Sequence, residues 1–210
     1  MKKILKMGYC LLFLLAALST IAAQKSISSP ITDGLYRVKV NATGKYWAIE
    51  NISKDDNARL VQWDYVDQAN HKFVVRKSDD SYTIQALHSG KYVDGRLFYG
   101  IVDAPVIQYR LTDAIYCNWN LTFSRQQTGG EGWVMQLKKS GVAIRLAGAT
   151  HYTDNGRHFI IKNPERLDAH DYEAYQTFTF ERLGDVPSSF INTIPRVNVG
   201  TSPVKIKKSN

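Results

Sequence analysis

Gly34-Leu35-Tyr36-Arg37-Val38-Lys39-Val40 runs into Thr43-Gly44-Lys45-Tyr46, and the chain then repeats the passage twice. Ser81-Tyr82-Thr83-Ile84 leads, at the same offset from its tyrosine, to Ser89-Gly90-Lys91-Tyr92. Gly132-Trp133-Val134-Met135 leads in turn to Ser140-Gly141-Val142-Ala143. Each copy closes on an aromatic: Asn70-His71-Lys72-Phe73, Asn120-Leu121-Thr122-Phe123 and Tyr175-Gln176-Thr177-Phe178. Three copies about fifty residues apart predict one pseudo-symmetric unit rather than three domains.

The copies are written in strands. Tyr36-Arg37-Val38-Lys39-Val40, Tyr82-Thr83-Ile84-Gln85-Ala86 and Phe178-Thr179-Phe180-Glu181-Arg182 alternate in polarity, the period of a half-buried strand. Turn signals fall between them at Thr43-Gly44, Ser89-Gly90, Thr128-Gly129-Gly130 and Ser140-Gly141. No window carries a capped helical stripe. The expectation is an all-β domain over 33–184, with repeats at about 33–78, 79–128 and 129–184. Gly95 to Ala104 and Thr150 to Tyr175 break the rhythm and read as surface loops.

The ends read differently. Lys2, Lys3 and Lys6 precede an apolar stretch, Met7 to Leu18, too short to span a bilayer, and Ser19-Thr20-Ile21-Ala22-Ala23 offers a small-residue exit. Residues 1–23 are therefore expected to be a cleaved signal peptide and 24–32 a polar leader. The protein is expected to be secreted or periplasmic, with no membrane span, and the short lysine-led signal is of bacterial type. Residues 185–210, with Pro187, Pro195 and Pro203 among Ser, Asn and Lys, are expected to form a disordered tail. Cys117 is the single cysteine left after the signal, so no internal disulfide is expected.

The net charge of +8 is an end effect. The signal and the tail hold +3 each, and 24–184 balances 20 basic against 18 acidic side chains. Such a body lacks the dense positive face that phosphate contacts need, so no nucleic-acid partner is expected.

The repeated Tyr, Ser/Thr-Gly-Lys-Tyr and closing aromatic, with Val61-Gln62-Trp63 and Ile107-Gln108-Tyr109 between them, resemble the ricin B-chain-like lectin repeat with its Gln-x-Trp signature. The resemblance covers about Asp33 to Leu183. It implies a β-trefoil, in which three four-stranded lobes surround a six-stranded barrel closed by three hairpins. It also implies carbohydrate binding, one shallow pocket per lobe at most, to galactose-like or other hexose units.

A sugar offers vicinal hydroxyls and one apolar C–H face. A carboxylate accepts hydroxyl protons strongly, an aromatic ring covers the C–H face, and an amide supplies both donor and acceptor. The family places the acid after the Gly-Lys-Tyr turn, the aromatic in the next strand and the amide before the closing aromatic. Lobe two matches at each step with Asp94, Tyr109 and Asn120, and is the expected carbohydrate-binding site. Lobe one keeps Trp63 and Asn70 but has Ala48 at the acid position, with Glu50 two residues on along the same strand face. Trp63 there reads as a core or rim aromatic, and lobe one as a degraded or altered site. Lobe three has Arg145 for the acid, Lys162 near the aromatic position and Tyr175 for the amide, and reads as structural.

An enzyme is not expected. His151, His158, His170, Asp168 and Asp171 fit no compact metal spacing, and no nucleophile motif or catalytic carboxylate pair is present. No cofactor and no metal are expected. The competing reading is a protein-binding trefoil, a protease inhibitor or toxin accessory subunit using the two irregular loops.

Overall fold

The alternation in the first repeat becomes a strand with one dry face. In β1, Gly34–Val40, the side chains of Tyr36, Val38 and Val40 are buried while Leu35, Arg37 and Lys39 are half-buried. The computed structural model describes residues 30–96, 103–111, 117–124, 132–147, 153–162 and 177–191. The chain divides into Met1–Ile31 and Thr32–Asn210, and of the first unit only Pro30 and Ile31 lie among the described residues. The expected signal peptide and residues 192–210 lie outside them. No helix among the described residues is long and apolar enough to cross a membrane.

Lobe one continues with β2 Tyr46–Ile49, β3 Leu60–Trp63 and β4 Phe73–Ser78. Lobe two holds β5 Ser81–Ala86, β6 Tyr92–Asp94, the two-residue β7 Ala104–Pro105, β8 Ile107–Tyr109 and β9 Trp119–Ser124. Lobe three holds β10 Gly132–Leu137, β11 Ala143–Leu146, β12 Phe159–Lys162 and β13 Thr177–Gly184. All pairings are antiparallel. Strand β1 pairs β4, β4 pairs β5, β5 pairs β9, β9 pairs β10, β10 pairs β13, and β13 returns to β1. That is a closed six-stranded barrel without an edge. Three hairpins, β2–β3, β6–β8 and β11–β12, complete the lobes. The fold is a β-trefoil.

The repeated Ser/Thr-Gly turn has one physical cause in every lobe. Gly44, Gly90 and Gly141 sit at φ of 73°, 69° and 71°. Their amides donate to the carbonyls of Val40, Ala86 and Leu137 at 2.8–2.9 Å. Only glycine takes that left-handed position without steric cost. The glutamines of the signature do structural work. Gln62 and Gln108 are fully buried; each accepts from a turn hydroxyl, of Thr43 at 2.9 Å and Ser89 at 2.7 Å. Their amides donate onward, to Asp154 O and to Ser53 O, and so tie each hairpin to a neighbouring loop.

Trp47 fills the centre, with its ring 5.0 Å from Phe178 and 5.8 Å from both Phe73 and Phe159. Such offset and edge-on aromatic pairs add to the area they bury. The expected tail departs from its description at its start. Ser188–Ile191 form a helical turn, Phe190 is buried, and buried Arg76 donates to the Phe190 carbonyl. An aromatic with a core to enter orders residues that composition alone marks as loose, so the packed chain includes Phe190.

Candidate functional site

The β2–β3 hairpin sorts its residues by parity. Trp47, Ile49, Leu60 and Gln62 point into the core, so Tyr46, Ala48, Val61 and Trp63 share the outer face. That face borders a cavity of about 230 Å³, which also meets Glu50, Ile52, Val66, Asn70 and His71. Trp63 is 42 % exposed at its rim. Its ring is backed by the turn at Gly156, where an added Cβ would sit 3.4 Å from Trp63 Cζ3. Five large hydrophobics are exposed among the described residues, and three of them, Ile52, Trp63 and Val66, line this one cavity.

The polar groups of the cavity are partly unsatisfied. Asn70, 5 % exposed, donates through Nδ2 to Ile49 O at 3.2 Å, but its Oδ1 has no donor. His71 Nδ1 is likewise buried without a partner. Burial pushes the His71 imidazole below its ordinary pKa, so the ring is neutral near pH 7. An orphaned buried acceptor costs about 1–3 kcal/mol, which a ligand hydroxyl or amide would recover.

Lobe two brings Asp94 and Tyr109 together and then fills the space between them. Strand β6 sets Tyr92 opposite Tyr109 and Asp94 opposite Ile107, the same places that Tyr46, Trp63, Ala48 and Val61 hold in lobe one. Arg96 stands where lobe one has Glu50. Its backbone N and Nε donate to Asp94 Oδ1 at 2.7 and 3.0 Å, and its Nη2 to Oδ2 at 2.9 Å. The guanidinium carbon lies 3.4 Å from the Tyr109 ring centroid. Asp94 is 1 % exposed. The acid's lone pairs and the ring face that would take a sugar are thus engaged by the chain's own arginine. Gly95 keeps this strand end tight, because a Cβ there would meet Ile161 Cδ1 at 2.5 Å.

Asn120 does not occupy the amide position. Tyr36 pairs with Phe73, Tyr82 with Trp119 and Trp133 with Phe178, so Trp119, not Phe123, closes lobe two. The counterpart of Asn70 is then residue 116, outside the described residues. Trp119 points inward, its Nε1 donating to Val93 O at 3.0 Å, so Asn120 one residue on belongs to the opposite face. A regularity in the chain carried this signal: Phe73 follows Tyr36 by 37 residues, and Trp119 follows Tyr82 by 37.

In lobe three, Arg145 stands opposite Ile160, which is the acid position, and Lys162 opposite Ala143, which is the aromatic position. Arg145 Nε is buried without a partner. Tyr175, His151, His170, Asp168 and Asp171 lie outside the described residues, as does most of both irregular loops. Among the described residues no cluster of three metal-ligating side chains occurs.

Residues 23–97 match the ricin-type beta-trefoil lectin domain-like family. No curated protein matches the sequence. Among solved structures, the designed three-fold symmetric protein ThreeFoil superposes with a TM-score of 0.60 at 25 % identity, over 72 % of this chain and all of that one. The Macrolepiota procera ricin B-like lectin, solved with lactose, gives 0.56 at 11 % identity, over 74 % of this chain and all of that one. A mosquitocidal holotoxin gives 0.61 at 10 % identity, over 76 % of this chain and 18 % of its own length. The last two likenesses are of fold alone.

Proposed function

We propose that this chain, which carries a ricin-type β-trefoil lectin-like domain, is an exported carbohydrate-binding protein whose working pocket is in lobe one. One observation carries the reading: the cavity beside the β2–β3 hairpin gathers an exposed Trp63, an unpartnered Asn70 Oδ1 and two more of the five exposed large hydrophobics described, Ile52 and Val66. Contiguous apolar exposure around a cavity with a few convergent polar groups marks a ligand site. Trp63 would cover the C–H face of a hexose ring, Asn70 would accept from a hydroxyl or amide, and Glu50 on the cavity wall supplies a carboxylate acceptor. The activity is binding without catalysis. Export rests on the sequence of residues 1–23, and intact-mass measurement of the mature protein should show cleavage after Ala23.

A single shallow pocket predicts affinity on the order of 0.1 to 1 mM for a monosaccharide. Calorimetric titration of the mature protein with hexoses and N-acetylated hexosamines tests the reading. Trp63→Ala should weaken binding about tenfold or more by removing the stacking face. No sugar of the panel giving heat, or Trp63→Ala binding as tightly as the parent, would overturn the lobe-one assignment.

A further inference from the structure

Ile52 is held in an unfavourable conformation and gains no burial from it. Its φ is 56°, beside Asn51 at 54°, in the short turn Glu50–Ile52 that leaves β2. Asparagine tolerates the left-handed region, whereas a β-branched side chain there is an outlier. Such strain persists where its surroundings enforce it, and it concentrates at ligand sites. The Ile52 side chain is 52 % exposed and borders the lobe-one cavity, with Val66 44 % exposed beside it on the same lining. Two costs, strain and apolar exposure, therefore coincide at the rim of one pocket.

The pocket's dimensions and charge limit what can use that rim. Trp63 stands at the Tyr46 end of the β2–β3 ladder, whereas the Glu50–Ile52 turn begins past the Ile49–Leu60 pair. These ends are three pairs apart, about 10 Å along the strands. Glu50 is the one formally charged residue of the lining, and His71 is held neutral by burial. Asn70 Oδ1 needs a donor. The lining thus offers two separated apolar patches, and Asn70 Oδ1, on the residue that bonds Ile49 O, calls for an N–H or O–H.

An unmodified hexose supplies one apolar face, enough for Trp63, and would leave Ile52 and Val66 against hydroxyls. An acetamido group adds a methyl for the second apolar patch and an amide N–H as donor. Ala48, at the position the repeat gives to an acid, leaves an apolar wall where a carboxylate would stand. We infer that lobe one selects N-acetylated hexosamines over the parent hexoses, with Ile52 as the specificity-determining residue. The inference rests on the reading of lobe one as the sugar pocket.

The test is calorimetric titration of the mature protein with N-acetylglucosamine and N-acetylgalactosamine, against glucose, galactose and glucosamine. The acetylated sugars should bind about ten- to fortyfold more tightly than the others, the gain from burying one methyl and pairing one amide. Ile52→Asn keeps a residue that accepts positive φ and removes the apolar contact. It should erase most of that preference without lowering the melting temperature. Equal binding of hexoses and acetylated sugars would overturn the selectivity and leave lobe-one binding standing. An unchanged preference in Ile52→Asn would overturn the role of Ile52, and silence toward every sugar would overturn the pocket itself.

Discussion

Lobe one holds Ala48, Glu50 and Trp63 where lobe two holds Asp94, Arg96 and Tyr109, and the strand registers put each pair at the same place. Lobe two keeps the acid and the aromatic, and it is closed. Lobe one has lost the acid, and it is open. The cause is the residue two positions along the strand, on the same face. Arg96 reaches back to a carboxylate that is 1 % exposed and lies across Tyr109, satisfying both from within the chain. Glu50 is itself an acid and has Ala48 rather than a charged partner two residues back, so no ion pair of the Arg96–Asp94 kind draws its side chain across Trp63. Keeping a binding residue and keeping a binding site are separate properties.

The largest expected effect follows from breaking the closed lobe. Removing one partner of a buried ion pair strands the other charge, at about 3–5 kcal/mol. Arg96 is partly exposed, 17 % at the side chain, so the lower end applies. Asp94→Ala should therefore lower the unfolding free energy by about 3 kcal/mol, read by urea denaturation, and leave saccharide affinity unchanged. Lost binding at undiminished stability would return the sugar site to lobe two.

The comparison sharpens if one lobe is turned into the other. Ala48→Asp places a carboxylate at a position 2 % exposed with no cation beside it, costing about 1–3 kcal/mol. Adding Glu50→Arg should recover part of that loss, with a coupling of about 1–3 kcal/mol in a double-mutant cycle. The same double variant should lose saccharide binding, because the arginine would cover Trp63 as Arg96 covers Tyr109. Additive stabilities with binding intact would show that position 50 does not control access.

What the sequence makes legible is local, and what it hides depends on how distant strands meet. Alternation from Tyr36 to Val40 and the glycines of the three turns are local signals, and they predict the strands and the threefold repeat. That Asp94 and Tyr109 lie on one hairpin is also readable from their spacing, which is a local property. Arg96 was in plain view two residues from Asp94, but its stacking on Tyr109 depends on how β6 and β8 are joined in space. Asn120-Leu121-Thr122-Phe123 spells the same pattern as Asn70-His71-Lys72-Phe73, but the barrel pairs Tyr82 with Trp119, which the local pattern does not reveal. The strain at Ile52 leaves no mark in composition or periodicity, since it is a backbone angle.

The smallest effect separates the lobes by pH. His71 belongs to lobe one, and Cys117, two residues before Trp119, holds the equivalent place in lobe two. Burial lowers the folded pKa of His71 below its ordinary 6.5. The unfolded chain therefore takes up a proton first as pH falls. The stability His71 contributes is complete above about pH 6.5 and is lost as pH drops through the folded pKa. His88 and His158 are lowered for the same first cause, so the whole protein should soften below that pH. The informative quantity is the difference that His71→Gln makes. Between pH 6.5 and 5 the variant's melting temperature should fall less steeply than the parent's. Over the same range the parent should also lose saccharide affinity, because a protonated ring would bring a charge to a pocket lined mainly by apolar groups. Parallel melting profiles for parent and variant would show that His71 takes up its proton alike in the folded and the unfolded chain, and the acid sensitivity would then belong to the other two histidines.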